Sequence, residues 1–78
     1  MSAEAEIVVD ARGHRCPTPT LRLRRAVARA PRGAVIRLLA DDPMVRIDAP
    51  HFAGQAGLEV LSVSSAGPII TVRVRTPP

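Results

Sequence analysis

Between Ala30 and Ala34 the chain carries Pro31, Arg32 and Gly33, and the pattern of apolar residues changes across them. Before the break, "PTPTLRLRRAVARA" (17–30) has a helical period. At about 100° per residue, Leu23, Ala26, Val27 and Ala30 gather on one side and Arg22, Arg25 and Arg29 on the other. After it, "AVIRLLA" (34–40) is a short unbroken aliphatic run with strand character. Pro31 cannot continue a helix and Gly33 suits a turn. A helix is thus forced to stop and a strand to begin, and "EIVVD" (6–10) supplies a strand on the other side of the helix. Strand, helix and strand in 35 residues require a right-handed crossover between parallel neighbours.

The second half repeats the alternation and then departs from it. "DDP" (41–43) reads as a helix start, with Asp42 as N-cap and Pro43 at the first helical position. "MVRIDAPHFAGQAG" (44–57) is helical in character. Pro50 is expected to bend or split it, with Asp48 capping the second piece and Gly57 ending it. "LEVLSVSS" (58–65) and "PIITVRVR" (68–75) are strands around a turn at Ala66–Gly67. The expected fold is an α/β two-layer sandwich, β-α-β-α-β-β. Its four-stranded mixed sheet carries both helices on one face. The other face would be wet although it holds Val8, Val35, Leu39 and Leu61.

At 78 residues the chain is read as one domain, 1–78, with 1–5 and 76–78 flexible. Phe52 is its only aromatic residue, so the core is aliphatic and a deep enclosed pocket is not expected. The formal charge is +4, carried by arginine alone, which favours acidic partners without naming nucleic acid. The acidic start lacks the features of a signal peptide, and no apolar stretch approaches a membrane span. A cytoplasmic location is the expectation.

Cys16, the only cysteine, lies in "GHRCPTPTLR" (13–22). With Cys16 as N-cap, Pro17 and Pro19 fall in the first turn, where a missing N–H costs nothing. The sulfur then sits at the helix mouth, facing the positive end of the macrodipole and the free N–H of Thr18. Gly13 makes the loop flexible, and Arg12 and Arg15 add positive charge, with His14 between them. These features favour thiolate. The bland reading is a small buried hydrophobe. A second cysteine for dithiol chemistry is missing, and one Cys with His14 and the distant His51 does not suggest a metal site. What remains is a nucleophile that accepts a group on sulfur and passes it on. Leu21 points away from the apolar side of its helix, among Arg22, Arg24 and Arg25, and is the expected docking spot for partner proteins.

Two motifs extend this reading. Asp10, Gly13, Cys16, Pro17 and Pro19 complete D-x-x-G-x-x-C-P-x-P. Asp41, Asp42 and Pro43 complete D-D-P, and Asp48, Pro50 and Phe52 complete D-x-P-x-F. In these the chain resembles the TusA/SirA family of small sulfur-carrier proteins over nearly its whole length. The resemblance implies a covalent cysteine persulfide on Cys16, with no other cofactor and no metal. It implies a cysteine desulfurase or rhodanese-like donor and a downstream acceptor such as a DsrE-like protein. The uses it implies are tRNA thiolation, molybdenum-cofactor work and sulfur oxidation. Asp10, Asp41 and Asp42 are read as a strand end and helix caps. Many members carry a second cysteine where this chain has Ala53, and a His where Leu58 follows Gly57. A single-cysteine carrier role survives both departures. The competing class is a small basic nucleic-acid-binding or regulatory module with an inert thiol. Its basic stripe would be Arg22, Arg25, Arg29 and Arg32, but it lacks stacking aromatics.

Overall fold

The computed structural model describes residues 6–78. Its elements are β1 (Glu6–Asp10), α1 (Thr18–Arg29), β2 (Val35–Ala40), α2 (Val45–Ala56), β3 (Glu59–Ala66) and β4 (Ile69–Arg75). The sheet order is β1-β2-β4-β3, with β1 and β2 parallel and β4 antiparallel to both of its neighbours. This is the expected mixed sheet. Residues 1–5, expected to be flexible, lie outside the described part.

Alternation on the central strands builds the core. Ile36, Leu38 and Ala40 of β2 and Ile70, Val72 and Val74 of β4 all point to one face. α1 covers that face with Leu23 and partly with Ala26, Val27 and Ala30. α2 covers it with Val45, Ala49, Phe52 and Ala53, a helical spacing that makes one continuous stripe. Both helices therefore lie on the same side. Gly67 has φ +60 at the first position of the two-residue β3–β4 turn, which falls at Gly67–Pro68 rather than Ala66–Gly67.

Three local expectations are corrected. Pro50 neither bends α2 into two pieces nor gives Asp48 a capping role; the helix runs unbroken from Val45 to Ala56. An interior proline costs roughly 3 kcal/mol, but the buried stripe keeps its register on both sides of it, and packing outweighs the lost bond. The start of α2 is also displaced. Asp42 and Pro43 form a tight turn whose carbonyls accept the N–H groups of Val45 (3.0 Å) and Arg46 (3.1 Å). Gly57 ends the helix in the left-handed conformation, as expected.

The helix-free face is less open than expected. Val8 is exposed, and Leu39 and Leu61 are half-buried, but Val35 is closed. Val35 pairs across the strands with Glu6 and Arg75. Glu6 in turn meets Arg37 at 2.8 Å and Arg73 at 3.7 Å, so long charged side chains flank the valine. The supposed tail is likewise tied down at its start. Thr76 is buried, and its N–H bonds the Ala34 carbonyl at 2.9 Å. Its hydroxyl accepts from the Ala34 N–H (2.9 Å) and donates to the Pro31 carbonyl (2.8 Å).

Candidate functional site

Because β1 and β2 are parallel neighbours in register, with Asp10 beside Leu39, the loops leaving their C-terminal ends meet. One loop carries Cys16 and the other carries Asp41, Asp42 and Pro43. This meeting builds the site.

Asp41 reaches the first loop with both carboxylate oxygens, accepting the Gly13 N–H at 3.0 and 3.1 Å. Gly13 has φ +84, a left-handed conformation that suits glycine at this bend. Asp42 accepts the Cys16 N–H at 2.6 Å with one oxygen and the Met44 N–H at 3.1 Å with the other. One nearly buried carboxylate thus fixes the cysteine and the entry to α2 together. These bonds hold its carboxyl below its ordinary value, the Cys16 N–H contributing most. The reading of Asp41 and Asp42 as helix caps alone is corrected. The clue in the sequence was that both acids directly follow the second strand of a parallel pair, beside the end of the first.

Cys16 is exposed. It is not the N-cap: the Cys16–Pro17 peptide bond is cis, Pro17 takes the N-cap position, and α1 begins at Thr18 with Pro19 inside its first turn. The Thr18 N–H, expected at the sulfur, donates instead to the Arg15 carbonyl at 2.9 Å. Arg12 turns back to Asp10, with Nε and Nη2 on the two carboxylate oxygens at 2.9 and 2.8 Å. Arg15 is exposed and lowers the Asp42 pKa through its charge.

The sulfur's own partner is Asp48. The thiol donates to Asp48 Oδ2 at 2.9 Å. This bond, then partial loss of water, then the negative charges of Asp48 and Asp42 push the Cys16 thiol above its ordinary value. The expected depression of its pKa is therefore reversed. The loop cations that were to favour thiolate do not dominate at the sulfur; carboxylates do. Sequence reasoning gave Asp48 only a capping role, and nothing local marks it as a neighbour of Cys16, 32 residues away.

The expected docking cluster is divided. Leu21 is half exposed (52%) and lines a groove of about 480 Å³ between α1 and β1, together with Arg22, Arg25 and Arg29. Arg24 is on the other side of α1, its guanidinium 5.2 Å from the centre of the Phe52 ring, a cation–π contact.

The Arg12–Asp10 pair brings the Asp10 carboxyl from 3.8 to about 2. A carboxyl held below its ordinary value stabilises the fold above that value and stops doing so as pH falls through the folded one. Melting temperature is expected to hold down to pH 3.8 and to fall from there to about pH 2 on account of Asp10, with Asp42 acting in the same direction. The check is a pH series of thermal melts. An Asp10→Asn/Asp42→Asn variant should melt lower at neutral pH and fall less in acid; an equal fall in acid would remove this assignment.

The family model described as "Sulfurtransferase TusA" matches residues 7–76. A sulfur carrier protein TusA of Pseudomonas putida (strain GB-1) is 36% identical over 56 residues, covering 72% of this chain and 70% of that protein. A sulfur carrier protein TusA of Pseudomonas entomophila (strain L48) is equally similar over the same length. The crystal structure of a SirA-like protein from Desulfitobacterium hafniense superposes with a TM-score of 0.81 at 26% identity, covering 92% of this chain and 99% of that one. With its two-layer fold and both motifs gathered at one end of the parallel strand pair, the chain belongs to the TusA/SirA family of sulfur carriers.

Proposed function

We propose that Cys16 carries one sulfane sulfur as a persulfide and passes it between partner proteins. The observation that supports this most is the placement of the only thiol: open to solvent, at the end of a small domain, on a loop anchored by two carboxylates. Donor and acceptor can both reach a sulfur so placed. The Cys16 sulfur attacks the terminal sulfur of the donor's persulfide. The donor's S–S bond breaks, and its electron pair leaves on the donor sulfur. The proton released by the Cys16 thiol balances the proton that the donor thiolate takes up. A thiol and a persulfide thereby exchange places, and no outside oxidant or reductant is needed. The same step in reverse roles unloads Cys16 onto an acceptor thiol.

The donor class is a cysteine desulfurase or rhodanese-like protein, the acceptor class a DsrE-like relay protein, and the setting the cytoplasm. tRNA thiolation, molybdenum-cofactor work and sulfur oxidation are the pathways this role serves. The test is incubation with a cysteine desulfurase and cysteine, followed by intact mass without reductant. A gain of one sulfur, reversed by reductant, is expected. No gain from several donor types, with the protein folded, overturns the reading.

The groove between α1 and β1 is the proposed docking surface. Leu21 supplies an apolar anchor, and Arg22 and Arg25 beside it speed encounter with an acidic partner. Leu21→Ala with Arg22→Glu and Arg25→Glu is expected to slow loading by about tenfold or more at low salt, with a smaller gap at high salt. An unchanged rate at both salts would remove the groove from the docking surface.

A further inference from the structure

Asp48 stands in an unusual relation to the thiol it accepts from. Its Oδ2 lies 2.9 Å from the Cys16 sulfur. No arginine side chain among the described residues pairs with it. The nearby cations are engaged elsewhere or face other groups. Arg24, which lines the same shallow depression as Asp48, sits over Phe52. Arg12 is bonded to Asp10, and Arg15 lies closer in influence to Asp42. His51 of α2 shares the depression with Asp48, and His14 lies in the cysteine loop. Asp41 is occupied with Gly13, and Asp42 with the Cys16 backbone. The group in direct contact with the sulfur is therefore an acidic side chain, on a residue half-buried in α2.

A carboxylate in this place opposes what a permanently activated nucleophile requires. The thiolate is the reactive form, and an anion at hydrogen-bond distance disfavours it. We infer that Asp48 is a brake on Cys16: it holds the unloaded sulfur as a neutral, hydrogen-bonded thiol and repels the anionic persulfide that replaces it. This rests on the carrier reading for its purpose but not for its test. The unloaded thiol, although exposed, is thereby protected from adventitious electrophiles and oxidants. Once a sulfur is added, the terminal sulfur is the more acidic group, and its negative charge meets the same carboxylate. The hydrogen bond that kept the thiol in place is lost, and repulsion turns the outer sulfur away from α2 toward an acceptor. Asp48 is thus a positioning residue whose one charge acts in opposite senses on the two forms of Cys16.

The test is the pH dependence of alkylation of Cys16 by iodoacetamide, in the intact protein without any donor. The wild type is expected to show a midpoint above the value of about 8.5 for a free cysteine. Asp48→Asn should bring the midpoint down by about one pH unit. The thiolate fraction at neutral pH then rises about tenfold while its intrinsic nucleophilicity falls about threefold, a net gain of about threefold in rate. Asp48→Glu, which restores the charge, should return the midpoint most of the way. A midpoint that is unmoved or raised in Asp48→Asn overturns the inference. So does an Asp48→Glu profile that follows Asp48→Asn, since a merely structural role would predict that outcome. Thermal melts of both variants establish that the comparison is between folded proteins. If alkylation shifts as stated but no donor loads sulfur, the carrier reading fails and the brake stands; if sulfur loads but alkylation is unmoved, the reverse holds.

Discussion

Replacing Cys16 by serine is expected to abolish sulfur loading completely while leaving the fold intact. The loss is total because the chain has one cysteine, and neither of its methionine thioethers can form a persulfide. A serine hydroxyl is a far weaker nucleophile at neutral pH and forms no stable bond of this kind to sulfane sulfur. The fold survives because what anchors this position is its backbone. The N–H at residue 16 still reaches Asp42, and a serine hydroxyl can still donate to Asp48. Stability should change by no more than about 0.5 kcal/mol, the usual range for an exposed site. Intact mass after incubation with a donor reads the first quantity and urea denaturation the second. Sulfur retained on the serine variant and released by reductant would place the carrier atom elsewhere.

Leu23→Ala is expected to cause the largest loss of stability, about 2–5 kcal/mol. Leu23 has no exposed surface and is the fully buried leucine through which α1 seats on the sheet. A domain of this size has a total stability of about 4–12 kcal/mol, so the variant is expected to lose roughly a sixth of it at the least and most of it at the upper end. Leu21→Ala, two residues earlier on the same helix, should shift stability by no more than about 0.5 kcal/mol, because that side chain is half in water. Urea denaturation of the pair separates the two faces of α1. Equal destabilisation would mean that Leu21 is part of the core rather than of a docking surface. The loading consequences run the other way. Leu21→Ala acts on a folded protein through encounter, and Leu23→Ala acts by lowering the folded fraction.

The helix periods, the breaks at Pro31 and Gly33 and the short aliphatic runs are properties of neighbours in sequence. They fixed the element order and the face that α1 buries. The cap at Gly57 was legible for the same reason, since a glycine at the end of a helical run acts over one turn. Pro50 was misread because its local cost is real, and the stripe of Val45, Ala49, Phe52 and Ala53 that overrides it acts through the sheet. Val35 was misread because its strand neighbours, Glu6 and Arg75, come from two other strands and cannot be read from the sequence around it.

At the candidate site the division is sharper. Sequence alone determined that there is one thiol, that prolines set the start of its helix, and that two acidic motifs accompany it. The sign of the electrostatic field at the sulfur was decided only by tertiary structure. Arg12 and Arg15 are near Cys16 along the chain, yet one is turned onto Asp10 and the charge of the other acts on Asp42. Asp42 and Asp48 are 26 and 32 residues away, yet one bonds the Cys16 N–H and the other the sulfur. Parallel pairing of β1 with β2 brings the two loops together, and α2, returning across the same sheet face, delivers Asp48. Coulomb attraction depends on distance in space, and proximity along the chain specifies that distance only within a turn or two.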